Sequence, residues 1–554
     1  MNARRAPLPD DLVLLPLGGT GEIGMNCYCY GVGNARRRQW LMVDLGVKFG
    51  TEKEPGIDVI LPDVGFITSN RDDLAALVIT HAHEDHIGAV PWLWSQLECD
   101  VYCSPFAAEI LKLKLKEHGL EDEVPVHVVE AGKPFVVGDF TLELVPVTHS
   151  IPQSHALWIK TKAGNVLHSG DWKIDRTPQL GAPFNENRFI EIGREGVDAL
   201  VCDSTNVLRE GVSPSEKDVA ETLADIIAHA EGRVAVTTFA SHVERITSAV
   251  RAAREAGREV VLAGRAMRNT IEAARNCGML GDAGAFLEED AFGYLPRDKI
   301  MLLCTGSQGE PRAAMARVAE DNHPNVALEE GDLVIFSART IPGNEKDVGA
   351  VINNLAKLSI DVVTADDALV HSSGHPRQGE LKLMYGWLKP RAVIPMHGEP
   401  RHLLAHAKFA RSCGITETLI LEDGKIARLA PHPIGNIDEA YAATLHVDGK
   451  LVVAGTDGPA KERRKLSFVG IIVVGLAVDD HLQLADDPQV ILDGVPKGLQ
   501  SDLEEAVETA FGSMPKPRRK DDNVLADTIR AAVRRAAETA WGKKPVVKVL
   551  VTRV

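Results

Sequence analysis

No stretch of 18 or more apolar residues occurs in the chain, so no transmembrane helix is expected. The opening MNARRAPLPDDLVLLPLGG carries two arginines but only a very short apolar run before Gly18, too little for the hydrophobic region of a secretion signal. The expectation is a cytoplasmic protein with no membrane partner. Cysteine is sparse and scattered, eight residues at 27, 29, 99, 103, 202, 277, 304 and 413 with no CxxC pair. Several lie inside apolar runs such as ALVCDST, so all are expected to be buried free thiols, not disulfides or a cysteine metal site. Positive charge is also short: 61 Lys and Arg against 78 Asp and Glu leave a net −17. Taken alone this argues against RNA, whose partners usually carry a basic footprint, although bound divalent cations can reverse the field of one cleft.

What is present is the composition of an ordinary globular protein, 45% hydrophobic and 25% charged. A chain of 554 residues exceeds one hydrophobic core, and three or so domains are expected. From Leu12 to about Asp203, short apolar runs (LVLLPL, NCYCYG, WLMVDLG, LAALVIT, FTLELVPV, ALWIKT) are punctuated by Gly, Pro and Asp. They predict stacked sheets with helices outside, an α/β class with four layers. After Asp203 the texture changes to helices alternating with strands, as in SEKDVAETLADIIAHAEG followed by RVAVTTFAS, which predicts a separate parallel sheet covered by helices. Short strands then resume. The expected division is a discontinuous first domain, 1–208 and 361–450, an α/β insert at 209–360, a linker at 451–465 and a small α+β domain at 466–554. No internal repeat is visible.

Gly19-Thr-Gly21-Glu-Ile-Gly24 follows a strand, and Asp44 closes another, as a dinucleotide fingerprint would ask. The helix that must follow the glycines is missing. Asn26-Cys-Tyr-Cys-Tyr30 alternates like a strand, so no nucleotide cofactor is expected.

The chemistry lies further on. Leu74–Thr80 (LAALVIT) reads as a buried strand, and His81-Ala-His83-Glu-Asp85-His86 follows at its carboxyl end. Imidazole and carboxylate donors suit borderline metals, and four such ligands in six residues can reach two adjacent ions. Strand alternation lets His81 and His83 share a face while Asp85 and His86 turn elsewhere. A histidine-rich surface turn is the bland alternative. Against it stand His149, Asp171 and His397, each closing a further strand-like run. Two metals would acidify water and neutralise a phosphoryl group during in-line attack, chemistry suited to a phosphodiester.

HxHxDH followed by His, Asp and His resembles the metallo-β-lactamase superfamily, with its four-layer αββα domain. The resemblance implies one metal at His81, His83 and His149, another at Asp85, His86 and His397, and Asp171 bridging. Asp44 matches the early aspartate that orients the cluster from behind the ligands. Asp203-Ser-Thr, His375 in His371-Ser-Ser-Gly-His375, and His397 in His-Gly-Glu resemble motifs A, B and C of the nucleic-acid-cleaving β-CASP group, whose insert lies between A and B. PLGGTGEIGMN, GIDVILPD, TTFASHVERI, TGSQGEP and the appended C-terminal domain are similar to the ribonuclease J family over nearly the whole chain. That resemblance implies 5′-to-3′ exonuclease activity favouring 5′-monophosphate ends, some endonuclease activity, and roles in mRNA decay and rRNA maturation. It implies two divalent ions per subunit, Zn²⁺ before Mn²⁺ or Mg²⁺, and single-stranded RNA as substrate. It also implies a homodimer or homotetramer formed through the C-terminal domain, and membership of an RNA-degradation complex.

By the same resemblance Asp85, His86, Asp171 and His375 are catalytic, His375 as acid or hydrogen-bond donor near the leaving oxygen. Asp203 supports it. His371, Ser372, Ser373, Gly374 and His375, with Ser241 and His242 from the insert, are expected to hold RNA phosphates, and TGSQGEP is a further candidate. An extra cation is expected at Asp58 and Asp448. The basic runs Arg36–Arg38, KERRK (461–465) and KPRRK (516–520) read as solvated loops before RNA contacts. Three rival readings remain: a DNA-directed β-CASP nuclease, a small-molecule metallohydrolase and a non-catalytic RNA-binding subunit.

Overall fold

The computed structural model describes residues 10–281, 285–456 and 458–554. Residues 1–9, 282–284 and 457, which fall within the expected domains and linker, lie outside the described residues. The chain divides into two compact units, one of 1–48 with 61–443, the other of 49–60 with 444–554.

The first unit holds three sheets. An eight-stranded sheet runs in the order Gly435–Glu439, Lys425–Ala430, Asp11–Gly18, Cys27–Asn34, Arg37–Val43, Leu74–Val78, Val101–Cys103, Val126–Val128. A seven-stranded sheet runs Glu417–Thr418, Ala392–Met396, Ala199–Asp203, Asn165–His168, Ser154–Lys160, Phe140–Val147, Phe135–Val137. Their facing side chains, among them Leu12, Leu14, Tyr28, Leu41, Val78, Leu144, Val166, Val201 and Ile394, form one core. A second core, with Trp158, Trp172, Phe189, Leu381, Met384 and Leu388, lies between the seven-stranded sheet and the outer helices Glu186–Glu195 and Gln378–Leu388. Strands covered on both faces explain why the sequence shows unbroken apolar runs in place of alternation. The metallo-β-lactamase sandwich is thus present.

The chain leaves the sandwich after Asp203, returns to it with helix Gln378–Leu388 and re-enters its sheet at Ala392. Ala199–Asp203 and Ala392–Met396 are parallel neighbours, with Asp203 opposite Met396. The insert between them is a five-stranded, all-parallel sheet in the order Glu259–Ala263, Ile300–Cys304, Val234–Thr237, Leu333–Phe336, Asp361–Val363. Helix Val243–Glu255 buries Ile246, Ala249, Val250 and Ala253, one face of a 3.6-residue period. The insert's sheet continues through Val363, beyond the expected boundary at 360, because the βα alternation carries through helix Glu345–Lys357 into one more strand.

The second unit carries a three-stranded sheet ordered Gln489–Asp493, Ile471–Val478, Val546–Arg553. Ile472, Val474, Leu476 and Val478 alternate into a core closed by Leu503, Val507 and Phe511 of helix Gln500–Ser513 and by Leu525, Ile529, Val533 and Ala537 of helix Asp522–Trp541.

Three expectations need correction. The stretch read as a linker, 451–465, is ordered as strand Leu451–Ala454 and helix Pro459–Val469. Gly458-Pro459 is the punctuation at that helix's start, with proline at the first helical position where its missing N–H costs nothing, and Lys, Glu, Arg and Leu after it favour helix. The second unit takes in residues 49–60 and 444–465 besides the expected 466–554, and the hairpin of Thr444–Asp448 with Leu451–Ala454 belongs to it. All eight cysteines are free, but Cys277 and Cys413 are only half-buried. Among the described residues no helix is long and apolar enough to cross a membrane.

A candidate two-metal centre at the strand ends

Parallel pairing aligns the strand carboxyl ends, and the polar residues that follow them converge. In one sheet Arg37–Val43 runs parallel to Leu74–Val78, delivering Asp44 beside His81–His86. In the other, Asn165–His168, Ala199–Asp203 and Ala392–Met396 deliver Asp171, Asp203 and His397. Asp44 and His397 stand at φ 63° and 49°, left-handed conformations that non-glycine residues adopt where surrounding contacts enforce them.

Among the described residues three donor groups result: His81 with His83 and His149, Asp85 with His86, Asp171 and His397, and a third that overlaps the second, Asp171 with Asp203, His375 and His397. In the first, His81 Nε2 and His149 Nε2 each lie 3.1 Å from His83 Nδ1. Burial, then the neighbouring imidazoles, lower the pKa of His81 and His149, and burial brings His83 down to about 4. Nitrogens this close are spaced like corners of a tetrahedron, since bonds of about 2.0–2.1 Å to a central ion would place ligands about 3.3 Å apart. In the second cluster burial disfavours charge, yet Asp171, Asp85 and Asp44 outweigh it at His86, and Asp171 and Asp85 lift His397 to about 10. This half therefore demands positive charge.

Asp171 joins the halves. Its Oδ2 lies 3.2 Å from His86 Nε2, 3.9 Å from His149 Nε2 and 4.0 Å from His81 Nε2, and its Oδ1 lies 2.9 Å from His397 Nδ1. His397 Nε2 approaches Asp85 Oδ2 at 3.2 Å. Asp171 Oδ1 and His397 Nε2 are nevertheless buried without a hydrogen bond of acceptable geometry. Close but misaligned donors of this kind fit cations better than they fit one another.

Behind the ligands, Asp44 accepts from His86 Nδ1 at 2.7 Å and from Thr80 N and Oγ1 at 2.7 and 2.8 Å, fixing the ring. His149 Nδ1 donates to Gly374 O at 2.7 Å, and a Cβ at Gly374 would lie 2.4 Å from that nitrogen. The glycine of HSSGH thus orients a metal-ligand candidate. His375 is the remaining member. Its Nδ1 donates to Asp203 Oδ2 at 2.8 Å, its side chain is 20% exposed, and Asp203 and Asp171 raise its pKa against burial.

Several expected phosphate contacts are placed otherwise. Ser372 is buried, donating to Pro214 O at 2.6 Å and accepting from Lys173 Nζ at 3.4 Å. His242 is buried and caps helix Val243–Glu255, accepting from Arg245 N. Ser241, Ser373 and His371 are half-buried. In TGSQGEP, Gln308 fastens backbone, accepting from Ile341 N and donating to Arg339 O. Asp58 is exposed, and Asp448 pairs with both guanidinium nitrogens of Arg463 at 2.8–2.9 Å. Of the basic runs, Arg37 and Arg38 pair with Asp73 and Asp11, while Arg519 is buried against backbone carbonyls.

Sequence reading missed Asn26, whose Nδ2 lies 3.3 Å from Asp85 Oδ2 and 3.0 Å from His86 Nε2. The glycine fingerprint beside it was the available signal. Gly19 O accepts from His397 N at 2.7 Å, and Thr20 and Glu22 bridge to Gly398, so those glycines bring backbone close to the His397 turn. Sequence reading also missed a buried charge hub beneath HSSGH. Glu216 accepts from Arg245 Nε and Nη2 at 2.8–3.0 Å and from Lys173 Nζ at 3.2 Å, Lys173 also meets Asp175 at 3.1 Å, and Arg245 Nη1 donates to Val370 O and Ser337 Oγ, each at 2.8 Å.

Asp423 supports the glycine loop by accepting from Thr20 Oγ1 at 2.5 Å, and burial pushes its carboxyl up to about 7. With the folded pKa above the unfolded one, the stabilising proton is fully in place below pH ~4 and is lost as pH rises through 7. Asp423→Asn is therefore expected to raise Tm at pH 8.5, by roughly 2 kcal/mol of stability, and to leave Tm at pH 5 nearly unchanged. Thermal melts at the two pH values check this; an equal shift at both would contradict it.

Comparisons with known proteins agree with this architecture. Residues 55–190 match the beta-lactamase superfamily domain, 231–355 the ribonuclease J beta-CASP domain, 360–417 the Zn-dependent metallo-hydrolase RNA specificity domain and 460–554 the ribonuclease J C-terminal domain. Ribonuclease J of Sinorhizobium meliloti is 48% identical over 551 residues, 98% of each chain. Those of Corynebacterium glutamicum and Thermus thermophilus are 36% and 34% identical, covering 97% of this chain and 75% and 94% of their own. A solved structure of a protein of unknown function from Enterococcus faecalis shares the fold, with TM-score 0.52 at 17% identity over 75% of this chain and 99% of its own.

Proposed function

The chain belongs to the ribonuclease J family and is a metal-dependent ribonuclease, and from that premise we propose that it degrades single-stranded RNA from 5′-monophosphate ends, with additional endonucleolytic cleavage. The observation that carries the reading is Asp171, one carboxylate shared between a neutral trio of histidines and an acidic cluster. We assign one cation to His81, His83 and His149, a second to Asp85, His86 and His397, and the bridge to Asp171, with Zn²⁺ as the expected ion. Divalent cations held there supply Lewis acidity, polarising a phosphoryl oxygen and making water acidic enough to attack.

The chain's own groups do the rest. Asp44 and Gly374 O hold the rings of His86 and His149 in one tautomer. His375 keeps its proton because Asp203 accepts from Nδ1, leaving Nε2 to donate toward the oxygen that departs. Asn206 Nδ2 donates to Ser373 Oγ at 2.8 Å and to His375 O at 3.2 Å, fixing the loop that presents that proton. Ser373, Ser241 and His371 remain the candidates for a terminal phosphate. Cytoplasmic mRNA decay and rRNA maturation, within an RNA-degradation complex, are the proposed setting. A homodimer or homotetramer is the proposed assembly, and sedimentation showing only monomer at micromolar concentration would count against it.

His375→Ala is expected to lower kcat about 10²- to 10⁴-fold without changing metal content. The test of the whole reading offers 5′-monophosphorylated RNA, the matching DNA and a thioester to metal-loaded protein. Release of nucleotides from RNA alone, stopped by a chelator, is the expected result. Equal cleavage of DNA would favour a DNA-directed nuclease, and thioester turnover alone a small-molecule hydrolase.

A further inference from the structure

Three arginines lie on segments that adjoin the residues of the centre. Arg209 follows the Asp203–Asn206 turn, Arg377 follows His375, and Arg339 follows Ser337 at the end of strand Leu333–Phe336. Hydrogen bonds fix the three segments in place: Gln378 N donates to Arg209 O at 3.0 Å, Ser337 Oγ to Val370 O at 2.7 Å, and Gln308 Nε2 to Arg339 O at 2.9 Å. Arg209 and Arg339 are exposed, and Arg377 is half-buried with its Nε shielded and unpartnered. Among the described residues none of the three is within ion-pair distance of a carboxylate. Glu310 and Glu345, which neighbour Arg339 in the fold, turn their oxygens to the backbone amides of Gln308 and Gly343. Burial and then the charges of Arg339 and Arg377 hold the Arg209 pKa below its ordinary value.

In a chain of net charge −17, acids to neutralise such a cluster are plentiful, and elsewhere arginines such as Arg188, Arg233, Arg245 and Arg297 have them. Like charges left together gain only when an anion joins them. The same segments expose Leu208, Val212 and Ile341, at 50%, 57% and 46%. Cations interleaved with apolar side chains match single-stranded nucleic acid, whose phosphates seek charge while its unstacked bases seek contact.

We propose that Arg209, Arg339 and Arg377 form a phosphate-binding subsite that grips the RNA chain beyond the reacting phosphodiester, with Leu208, Val212 and Ile341 beneath its bases. The proposal rests on the ribonuclease reading, and its test separates the two. The holoenzyme and its Arg209→Ala/Arg339→Ala variant are assayed on a single-stranded RNA of ~20 nucleotides and on bis(p-nitrophenyl) phosphate, which has no chain beyond the reacting group. For RNA, KM is expected to rise about tenfold, and the slope of log(kcat/KM) against log salt to become shallower by about 1.4, near 0.7 for each lost contact. Turnover of the small ester stays at the wild-type level, and Arg209→Lys/Arg339→Lys restores the salt slope. An unchanged KM and slope, or an equal loss on both substrates, overturns the subsite. Wild-type protein that hydrolyses the ester but not RNA overturns the ribonuclease reading instead.

Discussion

Asp171→Ala is expected to lower kcat/KM for RNA by about 10⁴-fold, roughly 5 kcal/mol of transition-state stabilisation, and to release bound metal at the same time. Asp171 reaches both donor clusters, with Oδ2 near His81, His86 and His149 and Oδ1 near His397. Removing it leaves the imidazoles in place but takes away the negative charge that, in the proposed two-metal reading, would hold both cations. Metal content by elemental analysis should therefore fall together with activity. Asp171→Asn, which keeps the shape and loses the charge, is expected to behave almost as badly. Full activity in either variant, or full metal occupancy with lost activity, would refute the bridging role.

The second large effect concerns stability. Glu216 is buried with Arg245 and Lys173, and their charges outweigh burial to keep its carboxyl well below the usual range. Glu216→Gln leaves two buried cations with one fewer anion, and the expected cost is about 3–5 kcal/mol. Arg245→Met strands Glu216 and also removes the donor to Val370 O, the residue before His371, so it should reduce kcat as well. The double variant Glu216→Leu/Arg245→Met is expected to lose less than the sum of its parts, because neither charge is then left alone. Calorimetric melts of the three variants decide the matter, and strict additivity would mean the hub is not a coupled unit.

These expectations show which parts of the molecule a sequence can display. His81–His86 was legible as a candidate because one strand end carries four potential ligands within six positions, and HSSGH because its spacing matches a family pattern. The parallel sheet of the insert was equally legible, since βα alternation is a local signal. Contacts made by backbone were not. Gly374 O on His149, Gly19 O on His397 N and the approach of Asn26 to Asp85 leave no mark in residue type beyond a glycine or an asparagine, which a turn would explain as well. The charge hub was hidden for another reason: Lys173 lies in a loop and Glu216 and Arg245 on two different helices, and each alone reads as a surface residue. The same ambiguity worked in reverse at His242 and Ser372, polar residues expected to face RNA that turn inward.

The parallel pairing of Ala199–Asp203 with Ala392–Met396 has a consequence in time. Thr205 and His397 touch across 192 residues of sequence, so the centre closes only when a late strand slots in beside an early one. Such distant pairings come slowly, and during synthesis at about 5–20 residues per second the ligands of the first half leave the ribosome well before His397 does. A nascent chain halted anywhere in the insert therefore holds most of the ligands and none of the activity.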